Sequence, residues 1–192
     1  LEAAGLDLPG EMTGNSLVPA LKGGKSKIAR DKVFTERERH SITREGGVGY
    51  PSRALRTEDF LYIRNLKPDR WPAGNVDNLF TDKAFSSVDV DNYEQDRPST
   101  VNFIIDQQLL KGKTEKYPYF KLVFDKRPAE ELYDLKKDPW QINNVADKPE
   151  YSEMLKKFRK IMNDWMKGTN DPRADERGHV LFDEYPFYGR KN

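Results

Sequence analysis

The stretch Arg127–Asp147, RPAEELYDLKKDPWQINNVAD, decides the fold because it predicts a strand, a turn and a helix entry in direct succession. Glu131–Leu135 has the near-alternation of apolar and polar residues that is typical of a half-buried strand. Pro139 disfavours helix at Asp138 and removes a backbone donor, so a turn follows the strand. Pro149 then favours the start of a helix.

The helix predicted after this stretch, from Pro149 to Lys167, is amphipathic. Its apolar residues follow the i, i+3, i+4, i+7 pattern: Tyr151, Met154, Leu155, Phe158, Ile161, Met162, Trp165 and Met166. Lysine, arginine and aspartate cover the other face, and Gly168 ends the helix. The stripe predicts that the helix packs across a sheet, and the alternative is a face that binds a partner.

Four strands and one shorter helix complete the predicted fold around that helix. Strands are predicted at residues 32–36, 59–64, 119–124 and 130–135, where β-forming residues are frequent. A shorter helix is predicted from Ser99 to Gly112. We therefore expect an α+β fold, in which a small antiparallel sheet of about four strands carries the long C-terminal helix on one face.

Composition excludes several classes of function. The 192 residues suit one domain with flanking segments, and the net charge of +1 gives no overall field for nucleic acid. No apolar run is long enough to cross a membrane. The chain has no cysteine, so it forms no disulfide. The basic run Lys156–Lys160 is interpreted as the solvent face of the last helix.

Several segments resemble one enzyme family. The string E-L-Y-D-L-x-x-D-P-x-x-x-x-N-x-A-D, from Glu131 to Asp147, resembles the C-terminal signature of the sulfatases. Ser52–Asn65 and Pro68–Gly74 look like the branch that contains heparan N-sulfatase (sulfamidase). The segments Gly5–Pro9, Gly14–Gly23 and Trp165–Arg173 are also similar to this family.

The resemblance implies hydrolysis of a sulfate ester or N-sulfate on a glycosaminoglycan-like sugar. It implies three regions: residues 1–30 as the exit from a catalytic domain, 31–173 as the C-terminal α+β domain, and 174–192 as a tail. Its implied partners are the sulfated sugar and the chain's own N-terminal catalytic domain, and a homodimer is left open. It implies a periplasmic or secreted location, or a lysosomal one in a eukaryote.

The groups that carry sulfatase chemistry have no counterpart in this chain. The family uses calcium and a formylglycine made from the first residue of C/S-x-P-S-R. Gly49–Arg53 reproduces only the end of that motif, and Gly49 has no side chain to oxidise. We interpret this match as chance, because the stretch lies where the family carries its Y-P-x-R-A segment. Asp89–Asn92 lacks the glycine and distal glutamate of an EF-hand loop. We therefore predict no catalytic residue and no metal ligand here, and no activity for this chain alone.

The candidate substrate-binding residues follow the first predicted strand and precede a glycine-rich loop. They are Glu36, Arg37, Glu38, Arg39, His40 and Arg44. Arginine suits sulfate because its planar fork donates two parallel hydrogen bonds, and imidazole can bond a sugar hydroxyl or a sulfamate nitrogen. The alternative is a solvated strand end with weak ion pairs. The resemblance implies that this segment approaches the active-site pocket, although the family places paired histidines where this chain has Arg39 and His40.

Two further arginines and one rival function complete the expectations. Arg53 and Arg56 are secondary candidates on a strand with alternating faces, and the alternative for both is structural ion pairing with Asp59 or Glu58. The rival function is a non-catalytic module that binds anionic glycans or a partner protein.

Overall fold

A four-stranded antiparallel sheet organises the chain in the computed structural model, which describes residues 1–12, 14, 16–22, 31–38, 44, 47–74, 100–112 and 115–185. The strands are β1 (Lys32–Arg37), β2 (Ser52–Thr57), β3 (Phe60–Asn65) and β4 (Glu130–Asp134). The α-helices within these ranges are α1 (Val18–Leu21), α2 (Thr100–Lys111), α3 (Pro118–Phe124), α4 (Ser152–Gly168) and α5 (Glu176–Glu184). Short 3₁₀ turns lie at Glu2–Ala4, Pro149–Tyr151 and Pro172–Ala174.

The register of the sheet aligns the side chains of one face in rows. The strands lie in the order β1-β2-β3-β4, and directly opposed residues share a face. One row is apolar and consists of Phe34, Leu55, Tyr62 and Leu132. Two residues further along, the next row on that face is charged and consists of Glu36, Arg53, Arg64 and Glu130. The same face therefore offers an apolar centre and a charged margin.

Helix α4 covers the apolar row and forms the main core with it. Its buried residues are Leu155, Phe158, Met162 and Met166. The ring of Trp165 stacks on Phe34 with centroids 4.6 Å apart, which fixes the end of the helix over β1. The α+β class, the four-stranded sheet and the packing of the C-terminal helix on it are confirmed.

The predicted strand at residues 119–124 is wrong, because these residues form α3. Pro118 lies in the first turn of that helix, where its missing N–H costs nothing and its fixed φ favours helix. Phe120 and Phe124 are four residues apart and both are buried, which fits helical spacing. The fourth strand of the sheet is instead β2, which carries Arg53 and Arg56.

Helices α2 and α3 form a second, smaller core. Ile104 and Ile105 of α2 pack with Phe120 and Phe124 of α3. The helix predicted at Ser99–Gly112 is thus confirmed to within a residue at each end, and Gly112 has the positive φ of 70° expected at such an end. None of the helices in the described ranges is long and apolar enough to cross a membrane. Residues 75–99, including Asp89–Asn92, lie outside the described part.

Candidate functional site

The candidate segment begins at the C-terminal end of β1. In the antiparallel register this end lies beside the start of β2, with Glu36 opposite Arg53 and Arg37 opposite Ser52. Glu36 and Arg37 are exposed there. Arg39 and His40 lie outside the described residues, so their predicted role stays a prediction.

Glu38 lies between two buried guanidinium groups. Arg53 Nη2 donates to Glu38 Oε1 at 2.7 Å, and Arg173 donates to Glu38 Oε2 through Nη2 at 2.7 Å and Nε at 3.0 Å. Arg53 is 1% exposed and Arg173 is 2% exposed, so both charges depend on protein partners rather than water. The carboxylate of Glu38, the residue directly after β1, is therefore held from two sides.

Asp171 supplies the other half of the pairing of Arg53. Arg53 Nε lies 2.5 Å from Asp171 Oδ2, and Nη2 lies 2.9 Å from Oδ1. Asp171 Oδ1 also accepts from the backbone N–H of Arg173, which caps the 3₁₀ turn that follows α4. Burial alone would raise the pKa of Asp171, but these hydrogen bonds and the two nearby guanidinium charges lower it. Asp171 is thus an ionised, structural carboxylate.

The pairing continues from Arg173 into α5 and back to the loop after β3. Asp183 Oδ1 lies 3.4 Å from Arg173 Nη2, and Arg70 forms a bidentate pair with Asp183 at 2.6 and 3.0 Å. Arg70 also donates to the carbonyl oxygen of Gly49 at 2.9 Å. We call Glu38, Arg53, Arg70, Asp171, Arg173 and Asp183 the ion network. Its three arginines balance three carboxylates, so it links five chain segments without a net charge.

His179 of α5 lies at the margin of the ion network. Its backbone carbonyl accepts from Arg173 Nη1 at 3.0 Å, whereas its ring Nδ1 is buried without a hydrogen-bond partner. Burial lowers the pKa of His179, and the positive charges of Arg173 and Lys67 lower it further against the opposing effect of Asp183 and Glu38. The imidazole is therefore neutral in the folded chain at pH 7.

Arg44, at the far end of the candidate segment, is held by backbone oxygens. Its Nε donates to the carbonyl of Trp71 at 2.7 Å and its Nη2 donates to the carbonyl of Pro72. Its guanidinium carbon lies 5.6 Å from the centroid of the Tyr50 ring. Glu38 and Arg44 are the described residues on either side of Arg39 and His40. Both thus contact other parts of the chain.

The secondary candidates divide between the two faces of β2. Arg53 is buried in the ion network, so ion pairing is confirmed for it, but its partners are Glu38 and Asp171 instead of Glu58 or Asp59. Arg56 is exposed. The sequence did not reveal Arg70, Asp171, Arg173 and Asp183. The only local signal was the Asp171-Pro172-Arg173 triplet, which has an N-cap residue before a proline.

The described residues do not fit formylglycine or calcium. Gly49 has no side chain that could be oxidised, and Ser52 and Arg53 belong to β2, where Arg53 pairs with Glu38 and Asp171. Among the described residues, no group of three or more His, Cys, Asp or Glu could hold a metal ion.

Two curated proteins are similar to the chain over most of its length. An ulvan-active sulfatase of Formosa agariphila is 30% identical over 171 residues, which are 89% of this chain and 28% of that protein. Human N-sulphoglucosamine sulphohydrolase is 25% identical over 168 residues, 84% of this chain and 27% of that protein. These matches show homology to the C-terminal region of sulfatases. The chain spans only about a quarter of the length of these sulfatases, and no family model matches it.

Solved structures share the fold. A 2-O GAG sulfatase superposes with a TM-score of 0.51 at 22% identity, over 92% of this chain and 26% of the other. A protein solved in complex with its substrate D-glucosamine-2-N,6-O-disulfate gives a TM-score of 0.50 at 19% identity, over 91% and 24%. The resemblance to sulfatases is therefore confirmed, whereas the heparan N-sulfatase branch stays a prediction, because the ulvan-active sulfatase has the higher identity.

Proposed function

We propose that this chain is the C-terminal domain of a sulfatase and that the segment from Glu36 to Arg44 forms one wall of its sugar-binding pocket. The observation that carries the proposal is the ion network, in which two buried arginines hold Glu38. Arg39 and His40 follow Glu38 directly in sequence. This pairing holds Glu38 in place, and a fixed Glu38 supports a binding role for the residues that follow it directly in sequence.

The proposed substrate is a sulfated sugar. The similar proteins include a sulfatase active on ulvan, a hydrolase of N-sulphoglucosamine, and a protein solved with D-glucosamine-2-N,6-O-disulfate as its substrate. Arg39 would bind sulfate or carboxylate through its fork, and His40 would hydrogen-bond a hydroxyl or sulfamate nitrogen. The bond cleavage itself would occur in a catalytic domain that this chain does not include, and that domain would supply the formylglycine and calcium implied by the resemblance.

Sulfate release tests the enzymatic part of the proposal. We expect the longer protein to release sulfate from N-sulfated or O-sulfated sugars, and the 192-residue chain alone to turn over no aryl sulfate. Turnover by the chain alone would contradict the assignment of the chemistry to another domain. Tight binding of sulfated glycans by a longer protein that releases no sulfate from any of them would favour the binding module instead.

Substitutions in the segment test its role. Arg39→Ala and His40→Ala in the longer protein are expected to raise the KM for the sugar or to change the preferred sugar. The matched control is Lys156→Ala on the exposed face of α4, which should leave both unchanged. If both segment variants keep the native KM and the native sugar preference, the segment has only a structural role.

A further inference from the structure

The ion network connects the candidate segment to the C-terminal part of the chain. Glu38 is separated from Arg173 by 135 positions and Arg53 is separated from Asp171 by 118, yet their side chains form direct hydrogen bonds. Asp171 and Arg173 both belong to the turn that follows α4. The end of β1 is therefore positioned by residues that lie far from it in sequence.

The pairing leaves Glu38 little freedom. Each of its two carboxylate oxygens is hydrogen-bonded by a guanidinium group, Oε1 by Arg53 and Oε2 by Arg173. If Glu38 rotated away, both buried arginines would lose a partner that water cannot replace at that depth. The direction in which the chain leaves β1 is thus determined by the positions of the two arginines.

Asp171 fixes those positions in turn. It pairs bidentately with Arg53 and also accepts the backbone N–H of Arg173, so one carboxylate aligns both arginines that hold Glu38. The other described end of the segment, Arg44, is held independently by the carbonyls of Trp71 and Pro72. Only five positions of the sequence separate these two anchored residues.

We propose that Asp171 and Arg173 are positioning residues for sugar binding: without touching the sugar, they orient Glu38 and through it Arg39 and His40. This inference rests on the proposed function of the segment. Because bidentate geometry carries it, lysine should replace Arg173 only in part, since an ammonium group keeps the charge and loses the fork.

Kinetics of the longer protein test the proposal. Arg173→Gln is expected to raise the KM for a sulfated sugar by roughly 10- to 100-fold, the loss that follows from displacing binding groups by about 1 Å. The kcat should change less than the KM, and Arg173→Lys should lie between the native protein and Arg173→Gln. Arg159→Gln is the control for the loss of a guanidinium–carboxylate pair away from the segment, because Arg159 forms a bidentate but exposed pair with Glu130 at the opposite edge of the sheet.

A double-mutant cycle separates positioning from general stability. If Arg173 acts through the segment, Arg173→Gln should have little further effect on KM once Arg39→Ala and His40→Ala are present. Full additivity would overturn the proposal. If Arg173→Gln does not fold, the same double-mutant cycle is measured with Arg173→Lys.

The outcomes distinguish this inference from the function on which it rests. A native KM in the variant with both Arg39→Ala and His40→Ala overturns the proposed function of the segment. A raised KM in that variant together with a native KM in Arg173→Gln overturns only the positioning role.

Discussion

Replacing Asp171 by asparagine tests whether the ion network holds the two ends of the domain together. The substitution preserves the shape of the side chain but removes its charge. It also places an amide N–H₂ or a neutral oxygen against Arg53 Nε, which now lies 2.5 Å from a carboxylate oxygen. Arg53 would then be buried at 1% exposure with Glu38 at 2.7 Å and the exposed Glu36 at 3.7 Å as its remaining carboxylates.

The expected cost is large because the pair is buried. Removing one partner of a buried ion pair costs about 3–5 kcal/mol, since the other charge stays desolvated. That is a substantial part of the roughly 5–15 kcal/mol that stabilises a domain. For a chain of this size it corresponds to a fall in Tm of roughly 6–20 °C.

Urea unfolding followed by circular dichroism measures the effect. The control is Asp164→Asn, which removes the same charge from an exposed pair with Lys160 on α4 and should change stability by about 0.5 kcal/mol or less. A loss below about 1 kcal/mol in Asp171→Asn would refute the reasoning, because it would show that solvent or other groups already compensate Arg53.

The pH dependence of the free energy of unfolding tests the same role of Asp171. The pKa of Asp171 in the folded chain lies below the unfolded value of about 3.9. Its stabilisation is therefore fully present above about pH 4 and is lost as the pH falls through the folded pKa. The stabilities of the native chain and Asp171→Asn should converge in acid, and a constant difference down to the lowest pH at which both fold would contradict this assignment.

Three further predictions follow from the packing. Met162→Ala, at a site with no exposed surface, should cost about 2–5 kcal/mol in urea unfolding, and a loss under 1 kcal/mol would show that α4 is not seated on the sheet as described. A Cβ on Gly178 would lie 1.5 Å from the carbonyl oxygen of Pro172, so Gly178→Ala should lower Tm clearly. The control is Gly168→Ala, which should leave Tm unchanged because no atom lies within 4 Å of its Cβ. Equal Tm values for the two variants would contradict the close approach of α5 to the turn at Pro172. The neutral, half-buried His179 has a lowered pKa, so native stability should decline as the pH falls below about 6.5. His179→Gln should reduce that decline, and the same slope in both proteins would show that another group titrates.

The parts of the fold that could be predicted are those that local pattern determines. Seven apolar residues of α4 repeat with helical period, and Glu131–Leu135 is bounded by a proline turn, so both elements could be identified from their own residues. The short apolar run at 119–124 has no such signal, because it is too short for periodicity to distinguish strand from helix. There Pro118 and the contacts of Phe120 and Phe124 with α2 determine the outcome.

The ion network could not be predicted because its contacts are distant in sequence. In the sequence, Glu38 stands among arginines at 37 and 39, which suggests local pairing, but its observed partners are Arg53 and Arg173. Only the folding of β2 beside β1, and of the turn after α4 onto both, brings these charges together. The candidate segment could therefore be proposed from the sequence, whereas the residues that pair with Glu38 could not be predicted from it.

The most direct test of the account is the selectivity of the longer protein for a sulfated sugar over a small aryl sulfate. Charge-assisted hydrogen bonds contribute about 1.5–3 kcal/mol each, so the loss of Arg39 and His40 should lower kcat/KM for the sugar by at least about tenfold. The aryl sulfate, which lacks the sugar groups, should lose much less, and Lys156→Ala should lose neither. The account predicts a fall in the ratio of the two kcat/KM values when Arg39 and His40 are both replaced by alanine. An unchanged ratio would contradict it.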